Sequence, residues 1–212
     1  KIIRFIKCKV INMFTNKPFI LASSSKSRFK ILQTVGLDFK SKKPTCDEEL
    51  LKKKLNNKKT KPLYLAKSLA KEKAKSVAKK YKNKTVIGCD TIIIFNNKLL
   101  NKAKNKAEAF LKIKKLNGKK HKIISVISVF KNGKEVWSHS QSSTVKIRKL
   151  KDTEIKKYIS QSGTEILSSV GCYQIELLGP TIIEKTTGDF FNIMGFPLFP
   201  FLKFLKKDSY KT

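Results

Sequence analysis

The sequence predicts an α/β protein built on a mixed sheet. Three observations lead there. Apolar, β-branched runs of strand length alternate with segments of helical period. Two of the runs, HKIISVISVF and EVWSHSQSSTVKI, flank Asn132 and Gly133, a pair that favours the tight turn of an antiparallel hairpin. Glycines at 36, 118 and 163 stand where helical patterns stop.

Taken in order, KPFILAS reads as a short buried strand. SRFKILQTVG follows as a helix closed by Gly36, with Phe29, Leu32 and Gln33 at helical spacing. KPTCDEELLKKKLNNKKTK reads as a lysine-rich loop carrying the acidic cluster Asp47, Glu48 and Glu49. A helix is predicted over 62–81, and TVIGCDTIIIF is a strand that turns at Asn96 and Asn97 into a short return. Residues 105–116 suit a helix ending at Gly118. After the hairpin, Asp152 is placed to cap a helix that stops near Gly163. VGCYQIE and TIIEK read as two short strands, and GDFFNIMGFP leads into a final helix.

A chain of 212 residues with 40% hydrophobic content is long enough and apolar enough to bury a core, as one domain or one domain with two lobes. The formal charge is +33, the usual mark of a polyanion partner. Of the 48 basic residues, however, only Arg4, Arg28 and Arg148 are arginines. Coding bias toward A·T yields a lysine-, asparagine- and isoleucine-rich chain without selection for nucleic acid, whose recognition surfaces favour arginine. Cys8, Cys46, Cys89 and Cys172 form no C-x-x-C pair, and with no secretory leader they read as reduced thiols of a cytoplasmic protein. His121 and His139 do not sit at zinc-ligand spacing with them. The histidines, the thiols and Trp137 are read as packing residues. Residues 1–12 are basic and too short and charged to span a bilayer; they precede Met13 and read as an extension to a domain at 13–212. FFNIMGFPLFPFLKFL, with two prolines, reads as a packed terminal segment and not a membrane span.

Candidate functional residues are those that break their local pattern. Projected at ~100° per residue, the 62–81 helix puts Leu65, Ala66, Leu69, Ala70, Val77 and Tyr81 on one face, and Lys73 falls in its middle. Strand alternation places Val86, Gly88, Asp90, Ile92 and Ile94 together, so Asp90 is a lone carboxylate on an apolar face, with room for a ligand at Gly88. Ser23, Ser24, Ser25 and the scarce Arg28 surround a helix start, where free N–H groups and the helix dipole attract phosphate. Together these describe a basic pocket containing a carboxylate, suited to a phosphorylated substrate and a metal ion.

Those residues carry a resemblance. LASSSKSRFKIL resembles the LAS-x-SPRR-x-LL opening of the Maf family of nucleoside triphosphate pyrophosphatases. Asp47 and Glu48, LAKEKAKSVA, VIGCDTIII, KLLNKAKNKAEA, LNGKKH, VGCYQIELLGP and GDFFNIMGFPL continue it in order over roughly residues 18–205. It implies a twisted mixed sheet flanked by helices, with two lobes around a central cleft. By the same resemblance Asp90, Glu48 and Lys73 are catalytic, and Glu48 and Asp90 hold a divalent cation, Mg²⁺ or Mn²⁺. Ser23, Arg28 and Lys102 bind substrate, while Ser27, Thr91 and Glu176 occupy the positions where subfamilies differ in base selection. The chain departs from the pattern at Lys26, Ser27, Ala103 and Glu176; the combination Ser27, Thr91 and Glu176 matches no single subfamily, and the base is left open. A homodimer and a nucleoside triphosphate substrate are implied, with no membrane and no specific nucleic acid. The expected reaction is hydrolysis to a nucleoside monophosphate and pyrophosphate. The rival is a lysine-rich nucleic-acid-binding protein without catalysis, whose affinity falls steeply with salt.

Overall fold

The computed structural model describes residues 17–55 and 61–209, for Ser209 the backbone alone. The strands are β1 (Phe19–Ala22), β2 (Phe39–Lys42), β3 (Thr85–Phe95), β4 (Lys98–Leu100), β5 (Lys120–Lys131), β6 (Lys134–Ile147) and β7 (Ile183–Thr187). The helices are α1 (Lys26–Thr34), α2 (Glu48–Leu55), α3 (Pro62–Ala78), α4 (Lys106–Leu116), α5 (Asp152–Ser162), α6 (Phe190–Ile193) and α7 (Leu198–Ser209). The sheet is open and mixed, in the order β2-β1-β3-β5-β6-β7, with β4 paired to β3. β1 runs parallel to β2 and β3, and the other pairs are antiparallel.

Local chemistry sets the joints. Gly36 has φ 71°, and the Leu37 and Gly36 amides donate to the Leu32 and Gln33 carbonyls, so α1 ends in a Schellman motif with Leu37 packed back near Leu32. Asn96 and Asn97, at φ 48° and 58°, turn β3 into β4; Asn132 and Gly133, at 49° and 74°, turn β5 into β6. Gly88 lets α3 lie against β3: a Cβ there would come within 2.1 Å of the Ala70 carbonyl oxygen and 2.6 Å of the Ala74 nitrogen.

The two faces of β3 divide the core. Val86 packs with Ala74, Val77 and Ala78 of α3, and Ile92 with Ala66 and Ala70. On the opposite face Ile87 and Cys89 meet Ile31 and Leu32 of α1 and Phe196, Leu198 and Phe201 near the C-terminus. A third, larger cluster gathers Ile93 and Phe95 with α4, α5, Cys172 and Tyr173. Asp90 lies along β3 between these apolar groups.

The mixed class, the hairpin and most element bounds are as expected, three local expectations are corrected, and one strand lies where none was expected. The 40s segment is no plain loop, since Glu48–Leu55 is helical with the Leu50 amide donating to Asp47 Oδ1 at 2.8 Å. Phe39–Lys42 forms the edge strand β2. Residues 170–176 form turns instead of a strand, for Cys172 takes φ 56° and the segment pairs with no strand of the sheet. Asp152 is the first residue of α5, not its cap; Lys151 stands there, and Glu154 Oε2 accepts from its amide at 2.8 Å. The 1–12 extension and Met13 lie outside the described residues. Among the described residues no helix is long and apolar enough to cross a membrane.

Candidate active site

A gap in the sheet positions the site. β1 pairs with β3 as far as Ala22 opposite Gly88, and β4 takes up the same edge only at Ile93. Between them residues 89–92 have no strand neighbour on that side among the described residues. Groups from both faces of the sheet reach this opening, which also receives the C-terminal end of β1 and the start of α1. Binding crevices of open α/β sheets form at such breaks, outside strand ends.

Asp90 is 7% exposed, and Lys73, from the middle of the apolar face of α3, is also 7% exposed. The Lys73 ammonium donates to Asp90 Oδ1 at 2.6 Å and meets Glu48 Oε2, at the start of α2, at 2.9 Å. Burial pushes the Lys73 pKa down and Asp90 pushes it up. The Arg28 charge lowers it again and Glu48 raises it, leaving a net rise, so the side chain stays cationic. Asp90 Oδ2 takes no hydrogen bond among the described residues. One buried ammonium thus bridges the buried Asp90 and the half-exposed Glu48, and the pair still has free oxygen.

Arg28 occupies the buried face of α1, beside Ile31 and Leu32, while Phe29 of the expected apolar run is 40% exposed. Its guanidinium donates to the Gly195 carbonyl (2.9 Å), to Ser23 Oγ (3.3 Å) and to Thr91 Oγ1 (2.9 Å). The Gly195 carbonyl also accepts from Cys89 Sγ and Thr91 Oγ1, both at 3.2 Å. Gly195 has φ 103°, and a Cβ there would lie 3.1 Å from Thr91 Oγ1, so only glycine delivers that carbonyl without strain. Arg28 is therefore anchored, with one N–H on each terminal nitrogen left for a ligand. Ser25 caps α1 by accepting from the Arg28 amide (3.4 Å), and Ser23 Oγ accepts from the Ser25 amide (3.2 Å). The Ser23 hydroxyl proton remains free to donate.

Lys102 stands exposed on the loop after β4. Partial burial, then the charges of Lys73 and Arg28, lower its pKa against the opposing pull of Glu48 and Asp90. Five of the side chains singled out by the sequence, Arg28, Glu48, Lys73, Asp90 and Lys102, thus share one electrostatic neighbourhood. The remaining positions border it: Ser27 Oγ donates to Glu176 Oε1 at 2.8 Å, and Thr91 shares a 3.0 Å hydrogen bond with Ser125. Gly195 and Ser125 are site neighbours that the residue-by-residue reading missed. Gly195 stands in the GDFFNIMGFPL stretch, but nothing local shows that its carbonyl reaches Arg28, 167 residues away.

Among the described residues no three His, Cys, Asp or Glu side chains cluster as a metal cage. Glu48 and Asp90 nevertheless fit a hard divalent cation, because Mg²⁺ commonly takes one or two carboxylates and completes its shell with water and phosphate oxygens. Lys73 engages one oxygen of each, leaving the second oxygen of each pair.

Fold and cleft together define an open α/β protein with a cationic, carboxylate-bearing crevice at a break in its sheet. The chain belongs to the Maf-like protein family, whose model matches residues 18–208. Among similar proteins, the 7-methyl-GTP pyrophosphatase of Bartonella quintana (strain Toulouse) is 38% identical over 183 residues, covering 86% of this chain and 91% of the relative. The nucleoside triphosphate pyrophosphatase of Ruegeria pomeroyi (strain ATCC 700808 / DSM 15171 / DSS-3) is 32% identical over 188 residues, 89% and 94% of the two chains. The 7-methyl-GTP pyrophosphatase of Rhizobium meliloti (strain 1021) is 33% identical over the same length and shares.

Proposed function

We propose that the protein is a nucleoside triphosphate pyrophosphatase, hydrolysing its substrate to a nucleoside monophosphate and pyrophosphate. The observation that carries the reading is the Glu48–Lys73–Asp90 bridge at the sheet opening, its Lys73–Asp90 half buried, in a family whose relatives bear that activity in their names. Water attacks the α-phosphorus, the bond to the oxygen bridging α and β breaks, and pyrophosphate leaves. Asp90 Oδ2 accepts the proton of the attacking water. Lys73 holds Asp90 and Glu48 in place and supplies fixed positive charge where the leaving group gains negative charge. Lys102, the free N–H groups of Arg28, the Ser23 hydroxyl and the first amides of α1 hold the phosphate chain. A divalent cation, Mg²⁺ or Mn²⁺, held by Glu48 and Asp90 would neutralise phosphate charge and orient the chain for in-line attack.

Ser27 and Glu176 face the base. A carboxylate offers acceptors only, so it favours an edge with adjacent N–H donors, as in guanine or 7-methylguanine. Uracil and thymine, whose one N–H lies between two carbonyls, suit it less. Residues 13–212 act as one domain in this reading, as a homodimer, on the cytoplasmic nucleotide pool.

The test is pyrophosphate release from a panel of ordinary and 7-methylated nucleoside triphosphates, with Mg²⁺, with Mn²⁺ and with chelator. Metal-dependent release, strongest for the guanine-type members, is expected. No release from any member contradicts the reading, and sedimentation of the same sample checks the dimer.

A further inference from the structure

Glu176 sits on a run of turns between two short 3₁₀ helices, Glu165–Ser168 and Gly179–Thr181. The 171–179 stretch follows a short 3₁₀ turn and pairs with no strand, yet it carries Glu176 to Ser27, 149 residues away, in the first turn of α1. Cys172, Tyr173 and Ile175 are buried in the larger core cluster, and the Cys172 amide donates to the Ser169 carbonyl at 3.2 Å. The Cys172 carbonyl accepts from Tyr158 Oη at 3.4 Å, and the Gln174 carbonyl accepts from the Leu177 and Gly179 amides at 3.1 and 2.9 Å. The Tyr158 contact is long and the two turn bonds are internal to the segment. The side-chain hydrogen bond that ties the segment to the sheet is made by Tyr173, whose Oη lies 2.5 Å from His121 Nε2 on β5.

The pair is built into the larger core cluster. Tyr173 is 4% and His121 3% exposed, with their rings tilted at 56° and centroids 5.6 Å apart. A Cβ at Gly171 would stand 2.5 Å from Cε1 of Tyr173, so the backbone is shaped to seat that ring. His121 Nδ1 is buried with no hydrogen-bond partner among the described residues. A buried ring that leaves one nitrogen unpaired is costly for packing alone, and a phenylalanine would fill the volume more cheaply. The polar side chain is explained if its other nitrogen has a task.

We infer that His121 is a positioning residue, holding the 171–179 segment through Tyr173 so that Glu176 meets Ser27 at the base-selecting end of the cleft. It touches neither substrate nor reacting atoms. β5 supplies rigidity, Tyr173 transmits it, and three residues on Glu176 uses it. The effect on selectivity rests on the proposed function; the mechanical claim does not.

The test uses Tyr173→Phe, which removes one oxygen, with His121→Phe as a second variant. Hydrogen–deuterium exchange is followed across the full chain. The amides of 174–179 are expected to exchange roughly two- to tenfold faster, as loss of one buried hydrogen bond implies, while β3 and β5 keep wild-type protection. Wild-type exchange in that segment, or an equal rise across the sheet, overturns the inference. In the activity arm, the ratio of kcat/KM for a guanine-type triphosphate over UTP should drop in Tyr173→Phe, and no further drop should follow when Glu176→Gln is already present. An unchanged ratio, or a full additional drop in the double variant, also overturns it. If the wild-type protein hydrolyses no nucleotide at all, the proposed function fails while the exchange arm still decides the mechanical claim.

Discussion

Lys73 is charged, buried and shared by two carboxylates, so removing it leaves the buried Asp90 carboxylate without a counter-charge. Lys73→Met should destabilise the protein by about 3 kcal/mol, measured by urea unfolding, and abolish activity. A stability change within about 0.5 kcal/mol, the range of an ordinary surface substitution, would show that the bridge is not structural. Asp90→Asn should fold and lose about 10²-fold or more of activity, read from steady-state rates beside a circular dichroism control. His121 gives a pH signature. Burial pushes its pKa from the ordinary 6.5 to about 4, so between those values the unfolded chain binds a proton that the folded one refuses. Stability is therefore complete above pH 6.5 and declines as pH falls toward 4, by on the order of 3 kcal/mol in all. Replacing His121 with Phe should remove that part of the decline; an identical slope from pH 6.5 to 5 in both proteins would contradict the assignment. Lys73 and Asp90 were legible because each violates a short-range period. The anchoring of Arg28 was not, since its partners Thr91 and Gly195 lie 63 and 167 residues away, and no local pattern encodes such meetings.

α3 and β3 meet along a seam without side-chain thickness at Gly88. Gly88→Ala would drive a methyl into the Ala70 carbonyl and the Ala74 backbone, which cannot give way as a flexible side chain could. The substitution should cost about 1–3 kcal/mol or more and lower kcat by moving Lys73 relative to Asp90. Thermal unfolding and turnover on the same sample check both effects, and wild-type values in each would show the seam to be loose. Elements with strong period were legible: β3 and the β5–β6 hairpin follow from β-branched residues and from Asn132–Gly133. α2 was not, because none of its residues is buried and its lysines mask the period. Asp47 and the Glu48–Lys73 contact secure it instead. β2 escaped notice because FKSK is a strand only as the parallel neighbour of β1. Residues 170–176 misled in the opposite sense: their apolar alternation suits a strand, but Gly171 and left-handed Cys172 turn the backbone to seat Tyr173.

Across the whole molecule, 48 basic side chains face 15 acidic ones, so like-charge repulsion opposes the compact state at low ionic strength. The exposed ion pairs, such as Lys114–Asp152 and Lys146–Glu184, contribute little each. Added NaCl should therefore raise the melting temperature between about 10 mM and 150 mM, as the Debye length contracts from about 30 to 8 Å. A fall over that range would mean that specific ion pairs outweigh the general repulsion. The same excess draws polyanions without base recognition, and that binding should vanish with salt while hydrolysis of a single nucleotide persists. The reaction proposed for the site around Asp90 is cleavage between the α- and β-phosphates. ³¹P NMR of a nucleoside triphosphate incubated with metal and enzyme tests it most directly. Monophosphate and pyrophosphate signals should grow together, and Asp90→Asn should leave the substrate intact. Formation of diphosphate and orthophosphate, or undiminished turnover by the variant, would contradict it.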